Sequence, residues 1–572
     1  MYHLQPLHFR INRIIITFII VVFLILARLF YLQITRSHHY LTQGQKNFLR
    51  TETTRSPRGN ILDCKGNLLV TNRPVTNLCW NGTGNHTLTE EQHRMLSQIE
   101  GIVGNPMISD PNLYTKISST EKQCQQFLIA HDISHEQLSQ LKELFPENSN
   151  LSLVSDFQRH YPYGPYASHI LGYLGRTSSV PLYGQTGIEK MCDAMLKGQD
   201  GTMEKTINSF GKSISIKELQ EATIGRDIHT TLDLDLQHIA EEVFPMQYSG
   251  ALLIMDPESG ALQAIVSRPS FDPTIFLNPI SHRSWQHLQT NNPFINRAFN
   301  PYPPGSIFKL ITVSAALESE LLDPKKMWQC DGYVNFSGRK YWCHHRWGHG
   351  TLNTIQAVAQ SCNVLFYEIG KRIDIDLLAQ YAHAFGLGKP TGIIFPERSG
   401  VVPSREWKLN TKGELWWPGE TLSVTIGQSF LLASPLQIAR MVSSIFTGHL
   451  VKPRILQEES IEWEPLLLQQ ETLNFLKKSM LFVVKQGTGK RVDIADMEIY
   501  AKTSTAQTSD FSKRKLGASF LEHAWFVAHV QYGDQKPLVF VILVENAGSS
   551  KVAALIAKQF LVTYKRWCDT GY

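Results

Sequence analysis

The 572-residue chain has little charge and little cysteine for its length. Only 18% of its residues are charged, and the formal net charge is +5. No dense run of lysine and arginine with interleaved aromatic residues occurs, which argues against a nucleic-acid-binding protein. Eight cysteines are too few for a disulfide scaffold of this size. The absence of internal repeats and low-complexity segments argues against a repeat architecture.

What remains is the composition of a folded, multidomain protein. Hydrophobic residues make up 42% of the chain, as in globular rather than disordered proteins. A single hydrophobic core does not extend over 572 residues, so we expect two or three domains outside any membrane segment.

The N-terminus is the exception to solubility. Residues 14–34 are apolar apart from three positions, and these 21 residues would span a bilayer core of about 30 Å. Arg10 and Arg13 precede the run, and no acidic residue occurs before Glu52, which weakly favours an N-terminus inside the cell. A cleaved signal peptide is the alternative. Because the run is long and no small-x-small site follows it, we predict an uncleaved anchor.

Strand and helix patterns alternate in the C-terminal part of the chain. Helical patterns dominate from Ser306 to about Met441. On either side of them we predict helices at 234–243 and 551–567, and strands at 250–256, 261–266, 498–506, 524–530 and 538–544. Strands at both sequence ends of a helical middle predict an α+β fold with an antiparallel sheet and an inserted helical lobe.

One short stretch points to nucleophilic chemistry. Pro303-Pro304-Gly305 cannot lie inside a helix, so Ser306 falls at or just inside the N-terminus of the helix that follows. Lys309 comes three residues later, on the same helical face. A desolvated lysine can act as the base that activates a serine. Taken alone, Ser-x-x-Lys is common, and an ordinary helix start with a solvated lysine is the simpler interpretation.

Two further motifs follow in the order that this chemistry requires. Ser361-Cys362-Asn363 lies in the predicted helical lobe, and Lys502-Thr503-Ser504-Thr505 lies on a late strand. Strand alternation places Thr503 and Thr505 on one face. Ser-x-x-Lys, Ser-x-Asn and Lys-Thr-Gly are the motif set of penicillin-binding proteins and class A β-lactamases.

On these motifs the chain resembles a class B penicillin-binding protein, a membrane-anchored peptidoglycan D,D-transpeptidase, over nearly its whole length. Within that family it is most similar to the elongation-specific enzymes. Other stretches that carry the resemblance are 58–66, 159–173, 187–190, 296–306, 347–350, 426–428, 487–489 and 523–526.

The resemblance implies a domain organisation. It comprises a cytoplasmic tail at 1–13, a transmembrane helix at 14–34, a pedestal (dimerisation-like) domain at 35–225 with an inserted head at about 75–155, and a β-lactamase-like transpeptidase domain at 226–572. We therefore expect a single-pass protein of the bacterial inner membrane whose bulk lies outside the cytoplasm.

The resemblance also implies roles in the acylation step. Ser306 would attack the carbonyl of the penultimate D-alanine of a stem pentapeptide, and Lys309 would accept its proton. Ser361 would relay a proton to the leaving amine, and Asn363 would orient the substrate or Lys309.

The strand motif would bind the substrate. Lys502 would supply a local positive field, while the hydroxyls of Thr503 and Thr505 would bind the terminal carboxylate. The N–H groups of Ser306 and Thr505 would form the oxyanion hole. The family usually has glycine where this chain has Ser504, so we expect activity with altered acylation or β-lactam affinity.

A cysteine–histidine cluster is a candidate metal site. Cys330, Cys343, His349 and Cys362 are spaced 13, 6 and 13 residues apart, and three thiolates with an imidazole suit structural zinc. The positions resemble metal ligands of some elongation-type relatives. A Cys330–Cys343 disulfide and buried free thiols are the alternatives to a metal site. His344 and His345 are either alternative ligands or surface histidines, and we expect no organic cofactor.

The sequence thus predicts a serine D,D-transpeptidase that binds stem peptides and β-lactams and cross-links peptidoglycan during elongation. A division-specific transpeptidase and a β-lactam-acylated sensor or scaffold without transfer activity are the alternatives. The resemblance implies a membrane-embedded glycosyltransferase of the shape, elongation, division and sporulation family and elongation-complex proteins as partners.

Overall fold

The computed structural model describes residues 5–104, 106–146, 148–175, 182–207, 213–277, 280, 282–290, 292–507 and 517–570. The chain forms two compact units. The first comprises Met1–Arg58, Arg73–Gln158 and Lys197–Gly225, and the second comprises Gly59–Asn72, Arg159–Leu196 and Arg226–Tyr572.

The helices of the described residues are α1 (Gln5–Phe30), α2 (Ser37–Phe48), α3 (Glu90–Val103), α4 (Pro111–Gln123), α5 (His135–Leu144), α6 (Ser168–Leu171), α7 (Gly187–Met191), α8 (Asp193–Leu196), α9 (Leu234–Val243), α10 (His282–Leu288), α11 (Lys309–Glu318), α12 (Thr354–Ala359), α13 (Asn363–Gly370), α14 (Ile375–Ala384), α15 (Arg405–Lys412), α16 (Pro418–Val424), α17 (Pro435–Thr447), α18 (Gln470–Lys485) and α19 (Ser550–Thr570).

The strands are β1 (Leu49–Thr54), β2 (Ile61–Leu62), β3 (Leu68–Asn81), β4 (Gln126–Ala130), β5 (Leu151–His160), β6 (Leu174–Gly175), β7 (Tyr183–Gly184), β8 (Gly201–Ile207), β9 (Ser213–Gln220), β10 (Ile228–His229), β11 (Gly250–Met255), β12 (Leu262–Arg268), β13 (Met327–Cys330), β14 (Tyr333–Phe336), β15 (Arg339–Trp342), β16 (Gly350–Asn353), β17 (His449–Val451), β18 (Trp463–Pro465), β19 (Met497–Ala506), β20 (His523–Tyr532) and β21 (Leu538–Val544).

The first unit begins with an apolar helical segment. Phe9–Thr35 is long and apolar enough to cross a membrane by length and composition. The same unit contains a three-stranded antiparallel sheet in the order β1-β8-β9. Its hydrophobic core lies elsewhere, where α3, α4 and α5 cover β4 and the end of β3 around Trp80, Leu96 and Ile99.

The second unit is built around a five-stranded antiparallel sheet. The strand order is β12-β11-β21-β20-β19. Strands from both sequence ends therefore meet in one sheet, which confirms the predicted α+β fold. The strand β19 lies at the sheet edge and pairs only with β20 among the described strands.

Strand alternation divides this sheet between two cores. On β11, Leu252 and Ile254 join a cluster with α9 and α19, whereas Ala251 and Leu253 join the cluster that contains α11 and α17. Because both faces are covered, β11 and β21 are buried along their whole length and show the continuous apolar pattern of a central strand.

The helix bounds follow from local chemistry. Asp233 accepts hydrogen bonds from the backbone N–H groups of Asp235 and Leu236, which caps α9 at its predicted start. The last helix, α19, extends beyond the predicted 551–567 at both ends.

The helical lobe contains strands that the sequence analysis did not predict. Between α11 and α12, β13 pairs with β16 and β14 pairs with β15. Ser337 and Gly338 join β14 to β15 with φ angles of 48° and 75°, the positive values of a two-residue type I′ hairpin. Four-residue strands are too short to outweigh the surrounding helical pattern.

The 159–173 and 187–190 stretches contribute a buried ion pair. Arg159 Nε lies 2.6 Å from Glu189 Oε1, and the two side chains are 1% and 0% exposed. Arg159 Nη1 also donates to the carbonyl of Gly59 at 2.7 Å. These contacts give the stretches a structural role inside the second unit, because a buried charge needs a partner.

Candidate active site

Ser306 lies in a 3₁₀ turn at the start of a buried helix. The turn comprises Gly305–Ile307, and Lys309 is the first residue of α11. Two long-range hydrogen bonds hold this turn in place. The N–H of Gly305 donates to Gly427 O at 2.9 Å, and Trp525 Nε1 donates to Pro303 O at 3.0 Å.

A carboxylate that the sequence analysis did not single out supports the same turn. Glu545 accepts hydrogen bonds from the Tyr302 hydroxyl at 2.6 Å and from Arg297 Nε at 3.0 Å. Burial, followed by the charge of Glu545, raises the pKa of Tyr302. Glu545 directly follows β21, and nothing in its local sequence marks it as a partner of Tyr302.

Lys309 is the centre of a polar cluster inside the second unit. Its Nζ donates to Ser361 O at 2.8 Å, to Ser361 Oγ at 3.2 Å and to Asn363 Oδ1 at 2.7 Å. The side chain is fully buried. Burial lowers the pKa of Lys309 to about 8, although negative charge on the neighbouring Cys343 and Cys362 sulfurs opposes the shift.

Ser361 connects the three motifs. Its hydroxyl lies 3.2 Å from Lys309 Nζ and 3.1 Å from Lys502 Nζ. The backbone φ of Ser361 is 55°, a left-handed conformation that a non-glycine residue adopts at a cost of about 1–3 kcal/mol. The helix α13 then begins at Asn363, so the turn at Ser361 positions both side chains beside Lys309.

Lys502 approaches from the edge strand β19. Its Nζ also donates to Thr503 O at 3.1 Å, and the side chain is fully buried. Burial, together with the charge of Lys309, lowers the pKa of Lys502 well below its usual value. Two buried ammonium groups on one hydroxyl repel each other, so the pair favours a state in which one amine is neutral.

The threonines of β19 have separate partners. Thr503 Oγ1 lies 2.6 Å from Thr488 Oγ1, and the N–H of Ser550 donates to Thr505 Oγ1 at 3.0 Å. Residues 487–489 carry part of the resemblance, but nothing in their sequence predicts a role for Thr488. Its position beside Thr503 makes it a further residue of the cluster.

Ser504 is directed away from these threonines, as alternation along β19 predicts. The side chain is 2% exposed, and its Oγ has no hydrogen-bond partner among the described residues. It packs against the nucleophile turn, where a Cβ added to Gly305 would collide with Ser504 Oγ. Gly305 also has φ of 54°, so this position requires glycine for two reasons. Any substrate contact of Ser504 would therefore come from its backbone.

The structure brings the four predicted metal ligands together. The ligand atoms of Cys330, Cys343, His349 and Cys362 all lie within 4.8 Å of one another. Cys330 Sγ and Cys343 Sγ lie 3.5 Å and 3.6 Å from His349 Nδ1. Both sulfurs are free thiols, so the alternative of a Cys330–Cys343 disulfide is not found here.

The cysteine cluster contacts the Lys309 cluster directly. The N–H of Asn363 donates to Cys343 Sγ at 3.4 Å. A hydrogen bond from Cys362 lowers the pKa of Cys343, and the same bond raises the pKa of Cys362. The pair therefore favours one thiolate beside one thiol.

Two family descriptions match the chain. "Penicillin binding protein transpeptidase domain" matches residues 250–562, which is more than half of the chain, and "Penicillin-binding Protein dimerisation domain" matches residues 53–230.

Similar proteins include two enzymes named peptidoglycan D,D-transpeptidase MrdA. The protein from Acinetobacter baumannii is 28% identical over 94% of this chain and 85% of its own length. The protein from Escherichia coli is 26% identical over 94% of this chain and 91% of its own length.

Solved structures show the same fold. A chain from a study titled "Structural coordination of polymerization and crosslinking by a peptidoglycan synthase complex" aligns with a TM-score of 0.74 at 29% identity, over 97% of this chain and 98% of that chain. PBP2 of Helicobacter pylori, solved in complex with MreC, aligns with a TM-score of 0.76 at 27% identity, over 90% of this chain and 99% of that chain.

The unpaired hydroxyl of Ser504 predicts a stability gain on its removal. Ser504→Ala should raise the free energy of unfolding by about 1 kcal/mol, because a buried hydroxyl without a partner carries a desolvation cost. Thermal unfolding of the purified protein measures the change. Ser443→Ala is the matched control, since the buried Ser443 Oγ donates to Ala439 O at 2.9 Å and its removal should give no gain. Equal or lower stability of Ser504→Ala would contradict the prediction.

Proposed function

We propose, because the chain belongs to the penicillin binding protein transpeptidase family, that it is a peptidoglycan D,D-transpeptidase that cross-links stem peptides through an acyl-enzyme on Ser306. The observation that carries this proposal is the meeting of Lys309, Lys502 and Asn363 around Ser361, with Lys309 three residues after Ser306. The elongation role is favoured over the division-specific alternative because curated relatives along 94% of the chain are named MrdA.

In the acylation step, Ser306 Oγ attacks the carbonyl carbon of the penultimate D-alanine. Its proton passes to neutral Lys309, whose pKa of about 8 leaves a usable fraction of free amine near neutral pH. As the C–N bond breaks, the amine of the last D-alanine takes up a proton through the Ser361 hydroxyl, which lies within hydrogen-bond distance of both lysines.

In the transfer step, the amine of a second stem peptide attacks the acyl ester. The new C–N bond forms, the ester C–O bond breaks, and the proton lost by the amine returns to Ser306 Oγ by way of Lys309. Asn363 Oδ1 holds Lys309 Nζ at 2.7 Å, so the base keeps its position through both steps.

The substrate carboxylate has a proposed place on β19. The hydroxyls of Thr503 and Thr505 would bind it, and each already has a partner that orients it. Lys502 would add positive potential in its protonated form, which burial disfavours, so the main stabilisation of the oxyanion would come from the N–H groups of Ser306 and Thr505. A pure sensor without transfer activity would need the same acylation chemistry, and transfer is favoured because the relatives are named transpeptidases.

The remaining regions would deliver this catalytic centre to the cell wall. We propose that residues 14–34 form a single-pass inner-membrane anchor after a cytoplasmic tail at 1–13, because the segment Phe9–Thr35 is long and apolar enough to span a bilayer. Residues 35–225, with an inserted head at about 75–155, would form the pedestal, and the dimerisation-domain match at 53–230 supports this division.

Partners follow from the neighbours. PBP2 of Helicobacter pylori was solved with MreC, and another similar structure belongs to a peptidoglycan synthase complex. We propose that this chain likewise binds elongation-complex proteins and a membrane-embedded glycosyltransferase of the shape, elongation, division and sporulation family.

Structural zinc is proposed for the cysteine cluster. With Zn–S of about 2.3 Å and Zn–N of about 2.0 Å, tetrahedral geometry separates a sulfur and a nitrogen ligand by about 3.5 Å. The observed Sγ to Nδ1 separations at His349 are 3.5 Å and 3.6 Å, so the residues fit the ion. When bound, zinc would cross-link Cys330, Cys343, His349 and Cys362 and so fix the loop that carries Ser361 and Asn363.

The nucleophile is tested by labelling with penicillin. The wild-type protein should form a covalent adduct visible as a mass increase of the intact chain, and Ser306→Ala should form none. Ser314→Ala removes a serine from α11, the helix that follows the Ser306 turn, and should label normally. An adduct that persists in Ser306→Ala would move the nucleophile elsewhere.

The lowered pKa of Lys309 predicts a pH dependence of acylation. The base must be neutral, so the acylation rate should rise about tenfold per pH unit below pH 8 and level off above it. Stopped-flow measurement of penicillin acylation from pH 6 to pH 9 gives the profile. A rate that is flat over this range would exclude Lys309 as the titrating base.

Metal content tests the zinc proposal. The purified protein should contain about one equivalent of zinc, and Cys330→Ser should lose it with a slower penicillin acylation. Cys192→Ser, which changes a buried cysteine outside the cluster, should keep the wild-type zinc content and the wild-type rate of penicillin acylation. Wild-type protein without zinc after purification in zinc-containing buffer would refute the site.

A further inference from the structure

The hairpin β14–β15 presents two different faces. Its register pairs Tyr333 with Trp342 and Asn335 with Lys340, so alternation places these four side chains on one face. The opposite face carries Val334, which is buried, and Tyr341, whose ring lies 5.6 Å from that of Tyr367. The hairpin therefore packs on the lobe through one face and exposes the other.

The exposed face combines aromatic rings with cations. The rings of Tyr333 and Trp342 lie 5.3 Å apart, and Trp342 is 41% exposed. Lys340 Nζ lies 4.3 Å from the Tyr333 ring centroid, and Arg346 Cζ lies 5.1 Å from that of Trp342. We call Tyr333, Asn335, Lys340, Trp342 and Arg346 the basic aromatic face.

The charge of this face is of one sign. No aspartate or glutamate occurs in the sequence between Asp331 and Glu368. Aromatic rings attract Lys340 and Arg346 without neutralising their charge. The face therefore suits a ligand that has apolar surfaces and carboxylates.

The basic aromatic face is attached to the catalytic cluster through one residue. The carbonyl of Trp342 accepts hydrogen bonds from Asn363 Nδ2 at 3.2 Å and from the Tyr367 hydroxyl at 3.3 Å. Asn363 Oδ1 in turn accepts from Lys309 Nζ at 2.7 Å. A single side chain thus separates the backbone of Trp342 from the proposed base.

We propose that the basic aromatic face binds the carboxylate-bearing sugar–peptide part of a peptidoglycan strand that extends beyond the cleft. This inference rests on the proposed function. The sugar rings would lie against Trp342 and Tyr333, while Lys340 and Arg346 would pair with stem-peptide carboxylates. Either the donor or the acceptor strand has this chemistry, whereas penicillin lacks the sugar rings and the stem-peptide carboxylates that the face would bind.

The experiment compares strand use with β-lactam acylation. Lys340→Glu should raise the KM for uncross-linked pentapeptide strands at least fivefold, whereas the rate of penicillin acylation should stay within twofold of the wild type. Trp342→Ala should also raise the KM for these strands, and Lys340→Arg, which keeps the positive charge, should have the wild-type KM. Arg339→Glu is the matched control, because Arg339 lies on the other face of the hairpin, over the Tyr341 ring, and should leave KM unchanged.

The outcomes separate this proposal from the proposed function. If the wild type forms no penicillin adduct, the proposed transpeptidase function is wrong. If acylation is normal but Lys340→Glu has the wild-type KM for strands, only the proposal of a strand-binding face is wrong. An equal rise of KM in Arg339→Glu would also contradict the strand-binding proposal. Slower D-alanine release in Lys340→Glu would assign the site to the donor strand. A loss confined to cross-linking would assign it to the acceptor, and either result supports the site.

Discussion

The catalytic unit depends on the burial of two lysines on one serine hydroxyl. Lys309 and Lys502 come from a helix and a strand almost two hundred residues apart, yet both Nζ atoms lie within 3.2 Å of Ser361 Oγ. Removing two amines from water is costly, and their mutual repulsion adds to the cost. The arrangement is stable only if one amine gives up its proton and the other is hydrogen-bonded on several sides. A base whose pKa is lowered to about 8 is thus a consequence of how the fold is packed.

The rest of the unit can be understood as the support for that hydroxyl. The helix α11 is buried on nearly all sides, which fixes Lys309. The strand β19 lies at the sheet edge, so one side of Lys502–Thr505 has no neighbouring strand among the described residues. Cys343 stabilises the strained turn at Ser361, because its sulfur accepts a hydrogen bond from the N–H of Asn363. Strain of this kind persists only where the surroundings over-determine the backbone.

The sequence predicted the sheet strands and the motif residues because both follow short-range rules. The continuous apolar run at 538–544 and the proline-glycine break before Ser306 are local signals. The partnership of Tyr302 with Glu545 and the packing of Ser504 against Gly305 are not local, since they join segments about two hundred residues apart. The small hairpin was not predicted for another reason. Its two strands have only four residues each, and the sequence around them has a helical pattern.

The hairpin and the cysteine cluster share one loop, and this sharing links ligand binding to catalysis. Trp342 belongs to the exposed face, Cys343 is the next residue and belongs to the cluster, and both contact Asn363 through main-chain or sulfur atoms. A ligand that fixes Trp342, or an ion that fixes Cys343, would therefore restrict the same asparagine and through it Lys309. A catalytic base loses efficiency when it is misplaced by about 1 Å. We therefore expect even a small gain in the rigidity of this loop to change the rate at which Lys309 takes the proton of Ser306. The nucleophile turn itself is constrained by a separate contact, the packing of Ser504 Oγ against Gly305.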